Sequence, residues 1–196
     1  MKTNHITHLF LITLAAAIAA GCASAPSRFY TLNSTATADG TPAAPYAVLV
    51  DPVSVPALVD HPQFTVQVAP NRVELDEFNR WAEPLNANIA RVIAGDLAVL
   101  LGTSQVATAP LANFDAAYRV TINIQRFESV PGESVLIEAL WVVHKSAGGA
   151  AQSGHTVASE PVSGNGFDAL AAAHSRALAK VSGDIAAAIR AEADAK

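Results

Sequence analysis

The sequence predicts an α+β fold, a mostly antiparallel sheet with two main helices packed on one face as a two-layer sandwich. Three observations carry this expectation. Tyr118, Val120, Ile122 and Ile124 alternate with polar residues, the period-two mark of a half-buried strand. A long strand at Val135–His144 is followed by a returning strand at Gln152–Glu160 after Ala147-Gly148-Gly149, as in a hairpin. Two stretches, from Pro84 to Leu100 and from about Phe167 to Ile189, carry apolar residues at helical spacing. Strands, helix, strands, helix is the order of a sheet with its helices gathered on one side.

The chain begins with an apolar segment, Leu9-Phe10-Leu11-Ile12-Thr13-Leu14 and an Ala/Ile run, preceded by one formal charge, Lys2. About a dozen helical residues span roughly 18 Å, short of a hydrocarbon core of about 30 Å. The segment reads as an export signal. It ends in Ala19-Ala20-Gly21-Cys22 and resembles the bacterial lipoprotein signal, with Ala19 where Leu is usual. Cys22 is the only cysteine, which leaves no internal disulfide. The resemblance implies acylation of Cys22 and, with Ala23 rather than Asp following, passage to the outer membrane. The expected organisation is a signal peptide over 1–21, a membrane tether over 22–28 and one periplasmic domain over 29–196.

The formal net charge of −5 includes one signal lysine, so the exported body is more acidic still. That balance excludes nucleic acid and polybasic attachment to anionic lipid. Phe29-Tyr30-Thr31-Leu32 is a short aromatic strand, and Asn33 to Pro45 a flexible loop. Tyr46–Val50 is a buried strand whose continuation is made irregular by Pro52 and Pro56. Phe64–Val68 and Arg72–Leu75 form a hairpin around Pro70-Asn71. Pro84 suits the start of the first helix, whose stripe is Leu85, Ile89, Val92, Ile93, Leu97 and Leu100, with Gly102 as its stop. Gln105–Thr108 is a short strand. The alternating strand from Tyr118 is expected to end where Arg126-Phe127 breaks phase. The second helix buries Leu170, Ala173, Ala177, Leu178, Val181, Ile185 and Ile189.

No chemistry-bearing constellation emerges. His61, His144, His155 and His174 show no metal-ligand spacing, and no G-x-S-x-G is present. Gly164-Asn165-Gly166 lacks the lysine of a phosphate loop. The expectation is a non-enzymatic protein with no catalytic residue, no metal and no cofactor.

Three blocks carry a family resemblance. They are Phe29-Tyr30-Thr31-Leu32; Val53-Ser54-Val55-Pro56 with Leu58 and Asp60-His61-Pro62-Gln63; and Asn71–Leu75 running through Trp81-Ala82-Glu83-Pro84-Leu85. Together they resemble the PqiC (YmbA-type) family of ABC-type transport auxiliary lipoproteins. The chain departs from the family in carrying His61 where Arg is common, and Asn86 where Asp is. The resemblance implies an accessory role in an MCE-type envelope system that moves phospholipid or other apolar molecules between the two membranes, with an MCE-domain protein as partner. The alternative is a structural envelope lipoprotein that assists assembly without handling lipid. Tyr30, Leu32, Pro56, Asp60, Pro62, Gln63, Trp81, Pro84 and Leu85 match the family motif, in either architectural or partner-contacting roles. A further candidate surface is the second face of the Val135–His144 strand. Leu136, Leu140 and Val142 there are covered by a loop such as Asn33–Pro45, or form an interface with the partner or another copy in a homo-oligomer.

Overall fold

The computed structural model describes residues 25–44, 46–109, 112 and 114–194. The signal segment 1–21 and Cys22 lie outside the described residues. The elements run β1 (Arg28–Tyr30), β2 (Val48–Val50), β3 (Gln63–Ala69), β4 (Arg72–Trp81), α1 (Leu85–Leu101), β5 (Val106–Ala107), β6 (Tyr118–Val130), β7 (Ser134–Lys145), β8 (Gln152–Pro161) and α2 (Phe167–Asp194). Five strands form one sheet in the order β5-β2-β6-β7-β8, and three form a smaller one in the order β1-β4-β3. The long pairings, β3/β4, β6/β7 and β7/β8, are antiparallel. The short strands pair in parallel, β1 on β4 and β2 on both β5 and β6, because the chain between them crosses over rather than turning back.

Both helices cover one face of the five-stranded sheet, as the sequence predicts. From β7, Val135, Ile137, Ala139, Trp141 and Val143 point inward and are buried. From α2, Leu170, Leu178, Val181, Ile185 and Ile189 meet them in one core. Each such side chain contributes on the order of 1.5–3 kcal/mol by leaving water. Helix α1 starts directly after Pro84, an extended residue at φ −52°, ψ 129°. It stops at Gly102, whose left-handed φ of 63° suits glycine, and whose missing Cβ would come within 3.1 Å of Ala43.

Two expectations need correction. Strand β6 does not end at Arg126-Phe127. The register passes from Ile124↔Ala139 to Arg126↔Glu138, so Gln125 is an extra residue that β7 does not match. This bulge absorbs the phase break and turns Phe127 and Ser129 to the inner face, and the strand continues to Val130. The segment after Leu32 is not a free loop, nor does it cover the outer face of β7. It lies as a strap between the two helices. Ser34 Oγ, Thr35 N–H and Ala36 N–H all donate to Asp96 Oδ1 at 2.6, 3.0 and 3.0 Å. Asn33 N–H donates to Ser175 Oγ, Leu32 N–H to Asn88 Oδ1, and Ala44 N–H to the Leu101 carbonyl. Buried polar acceptors on the helices hold a segment that has little apolar surface of its own to bury.

Candidate functional site: a cleft between the Asp60 turn and the start of helix α1

The chain from Pro56 to Asp60 turns on its own backbone, with Val59 N–H donating to the Pro56 carbonyl. It leads through Pro62 into β3. At the far end of β4, Trp81 N–H donates to the Pro62 carbonyl at 2.7 Å, and Ala82 N–H donates to that of Tyr30 at 2.8 Å. These bonds join three sequence blocks at one place. Between them lies a cleft of about 450 Å³ lined by Asp60, Pro62, Trp81, Ala82, Pro84 and Leu85, with His61 and Glu83. Concavities of similar size, about 470 and 430 Å³, occur near Tyr46 and near Arg91. Lining rather than volume therefore singles out this cleft, since five of the nine family-motif positions converge there and none line the other two.

Its floor is rigid. Trp81 is buried and stacks on Phe64 with ring centroids 4.3 Å apart, and its edge meets Phe127 at 6.1 Å. Tyr30 backs Phe64 edge-on and donates its hydroxyl to Asn79 Oδ1 at 2.7 Å. Glu83 is held from behind, its Oε1 accepting from Asn88 Nδ2 and Arg91 Nη2, both at 2.7 Å. His61 Nε2 donates to the Leu58 carbonyl at 2.8 Å, so Nδ1 is left as an acceptor. That atom is buried and has no partner among the described residues. Asp60, Pro62 and Pro84 are exposed at the mouth. The cleft thus offers an apolar wall and two carboxylates, Asp60 at the mouth and Glu83 tied to Asn88 and Arg91.

The other motif positions serve nearby. Leu32 is buried under the strap, Pro56 opens the turn, and Gln63 pairs with Arg80 beside the cleft. Leu136, Leu140 and Val142 are elsewhere, on the face of β7 turned away from the helices. Leu136 and Val142 are half-buried there and Leu140 is exposed. Sequence reasoning missed the buried polar groups. Asn88 and Asp96 lie within the apolar stripe of α1 and are fully buried, as is His174 in α2.

His174 stacks flat on Phe127 at 3.9 Å, and its Nε2 lies 2.8 Å from Ser129 Oγ. Burial pushes its pKa from 6.5 down to about 3. The unfolded chain takes up this proton near pH 6.5 and the folded chain does not until about pH 3, so the stabilising contribution is complete above 6.5 and lost as pH falls. The slope approaches about 1.4 kcal/mol per pH unit. Denaturant unfolding should therefore show a loss of about 1.6 kcal/mol from this group between pH 6.5 and 5. A His174→Leu variant should have a flatter profile in that window; an equal slope would assign the loss to other groups.

Among the described residues no helix is long and apolar enough to cross a membrane, and no three His, Asp or Glu side chains are grouped to hold a metal ion. A search of curated proteins gives no match. Two crystal structures share the fold. One is described only as that of an uncharacterized protein, with a TM-score of 0.70 and 19% identity over 84% of this chain and 99% of its own. The other is a DUF330 protein from Xanthomonas campestris, with a TM-score of 0.67 and 21% identity over 81% of this chain and 92% of its own. The family profile described as the ABC-type transport auxiliary lipoprotein component matches residues 30–186, which begin at Tyr30 and take in the whole cleft. This chain belongs to the ABC-type transport auxiliary lipoprotein component family.

Proposed function

We propose that this chain is a non-enzymatic accessory subunit of an MCE-type ABC transporter, supporting the traffic of phospholipid or other apolar molecules between the inner and outer membranes. In this reading Cys22 carries the acyl anchor, the body faces the periplasm from the outer membrane, and a segment of the MCE-domain partner docks in the Asp60–Leu85 cleft. The observation that carries the reading is the convergence of Asp60, Pro62, Trp81, Pro84 and Leu85 on one cleft. Residues about twenty positions apart in sequence share a binding surface, and the surface stands on a stacked, buried aromatic floor.

Ala82 is exposed and lines the cleft, so an Ala82→Trp side chain fills it without entering the core. In cells lacking the native protein, Ala82→Trp should melt like the parent yet fail to restore resistance of the outer membrane to detergent. Full restoration by a folded Ala82→Trp protein would remove the cleft from the function.

A further inference from the structure

The small sheet carries an unusual share of exposed apolar side chains. Among the described residues, Phe29 is 65% exposed, Leu75 46%, Phe78 44%, Val73 39% and Val68 38%, and all five belong to β1, β3 or β4. Val68, Val73 and Leu75 sit beside the turn of the β3–β4 hairpin, whereas Phe78 and Phe29, which pairs with Arg80, lie toward its Trp81 end. The register Gln67↔Val73 and Thr65↔Leu75 puts Val73 and Leu75 on one face of that hairpin. Val68 is the unmatched residue of the register shift between Gln67 and Ala69, and is exposed beside them. Three exposed apolar side chains around one turn suit shallow immersion of that tip.

Where the chain enters the body says what lies there. Strand β1 runs parallel to β4, with Arg28 opposite Asn79. The chain therefore arrives from the side of the hairpin turn. Six residue steps separate Cys22 from Arg28 and reach at most about 21 Å. The seven steps of β4 from Asn79 back to Arg72 cover about 23 Å. An anchor at Cys22 therefore cannot hold the membrane far beyond the hairpin tip.

We infer that the turn end of the β3–β4 hairpin, with Val68, Val73 and Leu75, is a lipid-docking surface that dips into the headgroup layer of the bilayer holding the acyl chains. The inference rests on anchoring at Cys22. The charges of the hairpin include Glu74, Asp76 and Glu77 against Arg72 and Arg80, with Arg72 paired to Glu74 and Arg80 to Glu77. Such a balance gives no attraction to anionic lipid, so the contact is apolar and suits a zwitterionic surface. The docked hairpin also fixes how the body stands, with Trp81 and the cleft at the opposite end of β4 from the lipid.

The test uses the full acylated chain, whose one native cysteine is consumed by the anchor. A Leu75→Cys variant carries an environment-sensitive fluorophore and is reconstituted in vesicles of phosphatidylethanolamine and phosphatidylcholine doped with nitroxide-labelled lipid. A Leu140→Cys variant reports the outer face of β7, and Val73→Cys repeats the reading should Leu75→Cys misfold. The expected result is flotation with the vesicles, and quenching at Leu75 several-fold stronger than at Leu140, undiminished by high salt. Flotation with equal quenching at the two positions overturns the inference and leaves the anchor standing. A blue shift at Leu75 without quenching places a protein there instead and also overturns it. Failure to float overturns the anchor, and the docking surface with it.

Discussion

Replacing Trp81 with alanine should cost the domain about 3–5 kcal/mol, a large part of the 5–15 kcal/mol that holds an ordinary domain folded. The indole is 5% exposed and is stacked on Phe64, which in turn contacts Tyr30 and Phe167. Truncation leaves a void at the point where the small sheet, the Asp60 turn and the start of α1 meet. The surrounding rings are themselves pinned, so little collapse can offset it. Denaturant titration checks the loss. A Trp81→Phe variant should recover part of the stability, because it keeps a ring against Phe64. An unchanged midpoint in Trp81→Ala would mean that the floor of the cleft is not part of the core.

Asp96→Ala should cost a comparable 3–5 kcal/mol. Its carboxylate is fully buried and accepts from Ser34, Thr35 and Ala36 on the strap and from Ser182 on α2. Bonds to a charged acceptor are worth about 1.5–3 kcal/mol each, and their loss leaves buried donors without a partner. The damage should be local before it is global. Amide hydrogen exchange at Thr35 and Ala36 should accelerate far more than in the middle of β7, while Asp96→Asn, which keeps one acceptor oxygen, should fall between the two. Equal acceleration throughout the molecule would mean that Asp96 supports the helix pair alone, with the strap following passively.

The periodic parts of this fold were legible because periodicity is local. The inward set of β7 and the stripe of α2 stand where spacing places them. What escaped sequence reading is held by interactions that pattern does not record. Gln125 was indistinguishable from a strand end, because a bulge and a terminus both break the alternation. The strap was misread as a loop because its Thr, Ala, Gly and Pro composition says nothing of a buried partner elsewhere. A signal did exist: Asn88 and Asp96 interrupt the apolar stripe of α1 at positions that a surface residue would not occupy. The cleft was half legible. Its residues were singled out as motif positions, but the bond from Trp81 to Pro62 that makes them one site spans distant segments.

If the chain serves an envelope transporter through this cleft, the association should survive gentle extraction. The most direct measurement is affinity purification of the full acylated chain from envelopes in mild detergent, with its companions identified by mass spectrometry, beside the cleft-filled Ala82→Trp protein. The account predicts that an MCE-domain protein and its ABC permease co-purify with the parent and are lost with Ala82→Trp. Recovery of the same companions with both proteins, or of no MCE-domain protein with the parent, would contradict it.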